Sequence, residues 1–384
     1  MGPLKGVKIV EMAGIGPAPF CGMLLADLGA DVIRVDRLAA ADLGFTVDKR
    51  YDLLNRSKRA ISIDLKAPAG IAIVKRLVVK ADLLIEGFRP GVMERLGLGP
   101  DVCHAVNPRL VFGRMTGFGQ DGPMKSLAGH DINYIAMAGA LSAIGHKGGP
   151  PVPPLNLVGD FGGGALYLAM GVLAGLLEAR VSGKGQVVDA AMVDGTASLM
   201  TMVFGYRQSG MWQNQRGVNP VDGGAPYYTV YETRDGKYVA VGAIEKRFYA
   251  ELVKRLGVTM ADLPGQDDRS RWDELKARLA AVFITRTRDE WATIFADGDG
   301  CVSPVLDLVE CTQHPAARAR NMFVESDGVV EPAPAPRFSR TPGAIRNAPV
   351  DPRADTHDAL LAWGYPSDEI EALAASGVIT SKSA

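Results

Sequence analysis

Residues 7–36 read VKIVEMAGIGPAPFCGMLLADLGADVIRVD, and the order of apolar runs in this stretch decides the fold. VKIVEM (7–12) and DVIRVD (31–36) are short, apolar and bounded by turn residues, which predicts strands. FCGMLLADLG (20–29) between them carries its apolar residues at helical spacing, and GIGPAP (14–19) is the turn that leads into it. The product is a β-α-β unit. A similar unit follows in ISIDL (61–65), GIAIVKRLVVKA (70–81) and DLLIEGF (82–88), and RLVFGRM (109–115) adds a further strand. Strands alternating with helices in this way require crossovers, so the predicted class is α/β, with a large Rossmann-like domain built on a mainly parallel sheet.

Beyond residue 165 the strand signals fade and helical patterns dominate to about 215, interrupted by SGKGQVVDAAMVDG (182–195). The chain is read as leaving the sheet domain there. A new β-type signal appears in APYYTVYETRDGKYVAVGAIE (225–245), where Asp235-Gly236 between two β-rich runs predicts a hairpin. Helical patterns follow at 246–257, 271–283 and 288–296, which makes this a smaller α+β unit. EPAPAPRFSRTPG (331–343) reads as an extended strap. The expected organisation is a large domain over 1–190, a helical connector over 191–224, a small domain over 225–318, and a return strap with C-terminal segment over 319–384 packing on the large domain.

Composition removes several classes of function. With 384 residues, 47% of them hydrophobic and 22% charged, and a formal net charge of -1, the chain has neither the basic excess of a nucleic-acid binder nor the composition of a disordered protein. An anionic ligand must then be met by local basic residues. The apolar run near Ala165–Leu177 is broken by Glu178 and Arg180, short of the roughly 20 residues that span a bilayer, so no membrane insertion is expected. The four cysteines, Cys21, Cys103, Cys301 and Cys311, share no CxxC spacing and have no matched histidines, which predicts neither a disulfide framework nor a metal site. No export signal is read at the start, and the final TSKSA lacks an SKL-type peroxisomal address, so the expected location is the cytoplasm.

GIGPAP followed by Asp36 imitates the dinucleotide-binding fingerprint G-x-G-x-x-G with its acidic partner about 20 residues on. Pro19 replaces the third glycine, and Pro17 removes a backbone donor from the turn, so a nicotinamide or flavin site is disfavoured here.

Three stretches place titratable groups at segment boundaries: SLAGHDINYIAMAGAL (126–141), LNLVGDFGGGAL (155–166) and YVAVGAIEKRF (238–248). They hold His130 with Asp131, Asp160 and Glu245. Taken singly, His130 at a helix start fits a cap or a surface residue, Asp160 fits an N-cap, and Glu245 fits a solvated loop carboxylate. Gly162, Gly163 and Gly164 after Asp160 fit close helix packing as well as room for a ligand against the backbone.

Taken together these stretches resemble the family III CoA-transferases, the CaiB/BaiF-like superfamily, in its racemase branch. The resemblance runs through VEMAGIGPAPFCGMLLADLGADVIRVDR (10–37), LLIEGFRPGVMERLGLGP (83–100), GRMTGFGQDGP (113–123), AGHDINY (128–134), PPLNLVGDFGGGAL (153–166), GKGQVVDAAMVDG (183–195) and DGGAPYYTVYETRDGKYVAVGAIE (222–245). It implies epimerisation of 2-methyl-branched acyl-CoA thioesters, with His130 and Asp160 as the two proton carriers and Glu245 orienting the histidine. It implies Arg37, Lys66, Arg95 and, more weakly, Arg89 as contacts for the phosphates of CoA, with Asp131 beside them in the ligand site. No cofactor is implied beyond the CoA of the substrate, and the implied assembly is an interlocked homodimer with the active site between domains of two chains. In the transferase branch an aspartate at the position of Asp160 is instead the nucleophile that takes the acyl group.

The implied chemistry accounts for these residue types. A thioester acidifies the neighbouring carbon weakly, and inverting that centre requires removing a proton from one face and returning one to the other. Neutral imidazole serves as base in one direction while a protonated carboxyl supplies the new proton, and the reverse direction exchanges the roles. Asp160 must then be neutral part of the time, which favours a dry pocket, whereas a helix N-terminus favours its anion. The enolate oxygen needs donors, for which the backbone N–H groups of His130 and Asp131 are candidates. The acyl chain needs an adaptable apolar wall, and among the 14 methionines Met115 and Met211 are candidate lining residues. An oxidoreductase and a non-catalytic CoA-binding protein are the remaining alternatives.

Overall fold

The computed structural model describes residues 2–39 and 47–380, so the terminal SKSA of the peroxisomal-address reading lies outside the described residues. Two compact units emerge: Met1–Ala138, Leu155–Leu199 and Asn321–Ala384 form the first, and Gly139–Pro154 with Met200–Arg320 form the second.

The first unit is built on six parallel strands: β1 (Lys8–Met12), β2 (Asp31–Arg37), β3 (Arg59–Ile63), β4 (Leu83–Glu86), β5 (Val111–Thr116) and β6 (Val187–Ala191). Their order across the sheet is β3-β2-β1-β4-β5-β6. Ile9, Val10, Ile33, Leu84, Ile85 and Phe112 are wholly buried, as parallel strands covered on both faces must be. Helices α1 (Pro17–Asp27), α2 (Pro68–Lys80), α3 (Val92–Arg95) and α4 (Pro100–Val106) connect the strands. Strand order reverses between β1 and β4, and the crevice outside their carboxyl ends is where α/β sheets of this type take ligands.

β6 adds a strand where the strand signals fade in the sequence, near the expected end of the large domain at residue 190. It pairs with β5 from Phe112↔Val187 to Thr116↔Ala191. As an edge strand it is half exposed over Val187–Asp189, and so lacks the continuous apolar run that marks a central strand.

Three further helices complete the region around Asp160: α5 (Asp131–Met137), α6 (Leu166–Ser182) and α7 (Met192–Leu199). A π-helical run over Leu157–Ala165 leads straight into α6. Together they make a continuous 26-residue helix, Leu157–Ser182, long and apolar enough by length and composition to cross a membrane, so the run extends beyond the break read at Glu178 and Arg180. Its inner side is core: Leu168 and Val172 pack against Gly113 of β5, leaving no room there for a side chain on the strand. Its outer side exposes Leu166, Met170, Leu177 and Val181.

Residues 331–343 are only in part a strap, because the chain first turns through a hairpin, β10 (Phe323–Ser326) and β11 (Val329–Pro332). Buried Arg56 holds that hairpin to α1, with bonds of 2.7 Å to both Asp27 and Glu331. Helix Pro352–Ala362 then packs on β3, where Asp355 Oδ2 accepts from Ala60 N at 2.7 Å and Thr356 Oγ1 from Ser62 N at 2.9 Å.

The second unit carries the antiparallel sheet β7 (Tyr228–Glu232), β8 (Tyr238–Gly242) and β9 (Val302–Pro304). Asp235-Gly236 lies in the hairpin loop between β7 and β8, with Gly236 at a positive φ of 71°. Helices α8 (Thr201–Gln208), α9 (Lys246–Leu256), α10 (Trp272–Phe283) and α11 (Arg288–Ile294) also belong to it. Its core joins Tyr231, Leu252, Leu279, Phe283 and Trp291, with Tyr231 stacked on Phe283 at 4.8 Å.

Candidate active site

Asp160 stands in the first turn of the π-helical run and is partly buried. An aspartate in this place ordinarily caps the helix by accepting backbone N–H bonds. Here Asp131 does so: its Oδ2 accepts from Gly159 N at 2.6 Å and from Asp160 N at 2.7 Å. Asp131 therefore holds the backbone amides at this helix start, reaching them from a separate segment. The carboxyl of Asp160 accepts from Asn156 Nδ2 at 3.1 Å. Burial pushes this carboxyl above the ordinary range; the Asn156 bond pulls it back, the Asp131 charge pushes it further, and His130 opposes. Burial is thus the largest of the influences on this carboxyl.

His130 occupies the N-cap position of α5 with extended backbone and an exposed ring. Its backbone N–H donates to Asn133 Oδ1 at 3.1 Å, which leaves Asp131 N as the first-turn amide of the two candidate enolate donors. Tyr134, one turn along α5, donates its hydroxyl to Gly129 O and fixes the approach to His130. Burial, followed by the nearby Asp160 charge, pushes the Tyr134 phenol up to about 12, so it remains a proton donor throughout the neutral range.

The turn after β1 that imitates a dinucleotide fingerprint faces this site. A Cβ on Gly16, whose φ is 68°, would stand 3.2 Å from Asp160 Oδ2. Pro19 O is held by buried Lys58 Nζ at 2.9 Å, and Asp36 by Arg34 Nε at 2.6 Å. Lys58 also bonds Glu11 Oε1 at 2.8 Å, and neither of the pair is accessible to water.

The glycines after Asp160 prove to be packing residues. A Cβ on Gly163 would stand 2.6 Å from Thr196 N, and one on Gly164 2.9 Å from Met192 Cγ, both on α7. Gly163→Ala is accordingly expected to destabilise the fold by about 1–3 kcal/mol through overpacking, read as a lower urea midpoint at unchanged slope.

Lys66 and Arg95 line one cavity of about 520 Å³ together with Pro68, Ile71, Ala72 and Lys75. Lys75 was missed in the sequence; its signal is that residues 68, 71, 72 and 75 share one face of α2. Arg37 is exposed at the end of β2, with its guanidinium 5.6 Å above the Phe88 ring, and Arg89 is exposed in the loop after β4. That loop is fixed by buried Glu86, which accepts from Phe88 N at 2.7 Å and from Arg114 Nε at 2.8 Å, while Arg114 also grips Glu94 beside Arg95. Met115 is buried within β5, so it fills the core and lines no ligand site. In the second unit, Glu245 is exposed at the start of α9, and Met211 is exposed as well.

A parallel sheet in this order, with basic residues beyond its carboxyl ends and a partly buried carboxyl beside a histidine, makes the chain an α/β protein with an acid-base pair near a basic cleft. The chain belongs to CoA-transferase family III, whose family model matches residues 4–358. It is 45% identical over 381 residues to the α-methylacyl-CoA racemase of Mus musculus, covering 98% of each chain, and 44% identical to that of Homo sapiens. It is 32% identical to the succinyl-CoA–D-citramalate CoA-transferase of Chloroflexus aurantiacus, covering 89% of each. A CAIB/BAIF family protein from Brucella suis has a similar solved structure, with a TM-score of 0.78 at 26% identity, covering 94% of this chain and 98% of that one.

Proposed function

We propose that this protein is a racemase of 2-methyl-branched acyl-CoA thioesters, acting by α-proton abstraction and reprotonation on the opposite face. The observation that carries this reading is the setting of Asp160: a partly buried carboxyl beside His130, which burial pushes above its ordinary range. A nucleophile for acyl transfer is better served by an ionised carboxylate. The likeness to the mouse and human racemases, which exceeds that to the transferase, supports the same choice.

In this reading His130 and Asp160 share one proton between them. Deprotonation by one and reprotonation by the other balances without any oxidant or cofactor, and Asp131 N receives the enolate oxygen. Lys66, Lys75 and Arg95 meet phosphates of CoA in their cavity, with Arg37 and Arg89 as further basic contacts. We also assign the chain to a homodimer in which Glu245 orients His130, a reading supported by the exposed Leu166, Met170, Leu177 and Val181 of α6.

The test is incubation of the protein with one enantiomer of a 2-methylacyl-CoA in D₂O, without an acceptor acid. Loss of configuration with deuterium entering at the α-carbon supports racemisation, whereas CoA movement only on adding a free carboxylic acid overturns it. The cavity makes a separate prediction. Lys66→Ala with Arg95→Ala is expected to raise KM for the thioester by on the order of 10²–10⁴-fold with little change in kcat, since two charge-assisted bonds to phosphate are worth roughly 1.5–3 kcal/mol each.

A further inference from the structure

The proton-transfer reading does not use the Asp131 side chain. This carboxyl is 5% exposed, its Oδ1 has no partner among the described residues, and its Oδ2 accepts two short backbone bonds from a separate segment. The residue next to His130 thus holds the amides of Gly159 and of Asp160 itself. Gly159 permits the contact, because a Cβ there would stand 2.6 Å from Asp131 Oδ2. The two helix starts that carry His130 and Asp160 are thereby joined through one carboxylate.

We propose that Asp131 is a positioning residue of the racemase: its buried carboxyl, by holding the amides of Gly159 and Asp160, fixes the distance between the two proton carriers. The proposal rests on the reading of His130 and Asp160 as the proton pair. It also gives Asp131 a place different from a direct contact to CoA, because the side chain is turned inward onto backbone.

Charge matters as well as geometry. Asp160 is faced by His130, Asp131 and Tyr134 from α5, by the uncharged Gly16 turn, and by Asn156 one turn back. Met192 and Thr196 of α7 pack on the glycine side and carry no charge. Asp131 is the other carboxyl of this set, and its charge disfavours a negative charge on Asp160. Removing it makes proton release easier from the His130–Asp160 pair, whose two apparent pKa values belong to both groups.

The experiment measures α-deuterium exchange and racemisation across pH with the full chain, comparing wild type, Asp131→Asn and Asp131→Ala. Asparagine keeps one oxygen to accept both amides but removes the charge, so both limbs of the bell-shaped profile should move to lower pH with KM unchanged. Alanine removes the link as well, and kcat should fall on the order of 10²-fold, as expected for a small misplacement of reacting groups, again with KM unchanged. A D131N profile superimposable on wild type overturns the proposal, as does a D131A defect confined to KM. Failure of both variants to fold, read by circular dichroism, also overturns it, because Asp131 would then serve stability first. A wild type that exchanges no α-proton overturns instead the racemase reading on which the proposal stands.

Discussion

Replacing His130 by alanine is expected to abolish racemisation and to split the two enantiomers apart. The enantiomer whose α-hydrogen faces His130 loses its base, and its deuterium exchange should fall on the order of 10²–10⁴-fold, the usual contribution of a positioned acid or base. The other enantiomer still presents its α-hydrogen to Asp160, so it should exchange slowly with retention of configuration, the same carboxyl removing and returning the proton. Asp160→Asn should show the reverse preference. Chiral chromatography with mass spectrometry of each enantiomer in D₂O reads both results. Equal loss for both enantiomers in both variants would sink the two-base mechanism, and an acyl adduct on Asp160 would establish the nucleophilic alternative.

The second large effect concerns stability. Lys58→Met leaves Glu11 buried without its cation, and such unpaired burial costs about 3–5 kcal/mol. Burial holds Glu11 above its ordinary range, with Lys58 the main opposing influence, so removing Lys58 lets it rise further. A carboxyl whose folded pKa exceeds its unfolded value contributes stability that is present at acid pH and lost as pH rises through the folded value. The deficit of K58M should thus be smaller near pH 4 than at pH 8, in urea titrations at both. Glu11→Met combined with Lys58→Met should recover most of the loss, since replacing a whole buried pair by apolar groups is often neutral. A deficit independent of pH would show that the lost bonds to Pro19 O and Asn55 Oδ1 dominate instead.

Much of the α/β unit was legible because parallel strands are buried on both faces and leave mainly apolar runs, as in VKIVEM and DVIRVD, whose charged Glu11 and Arg34 are paired. The hairpin at Asp235-Gly236 was legible from turn chemistry alone. β6 was not, because an edge strand keeps one side wet and its pattern dissolves into Gly, Ala and Asp. The pairing of His130 with Asp160 was reachable only through resemblance, since 30 residues separate them and no local period links them. The role of Asp131 was not reachable, because accepting two amides across two segments is a tertiary fact with no local spacing. Asn156 was closer to hand, one helical turn before Asp160.

The π-helical run that carries Asp160 sets how the chain tolerates insertions and deletions. Such a turn holds more residues than an α-turn, so losing one residue between Phe161 and Ala165 can relax the segment to ordinary helix and leave α6 in register with its partners. The carboxyl, however, would swing by about 100° around the helix axis, away from the side on which it meets His130. Length changes here would separate heritable fold from heritable activity: a lineage could lose a single codon, keep a stable acyl-CoA-binding protein, and no longer invert its ligand.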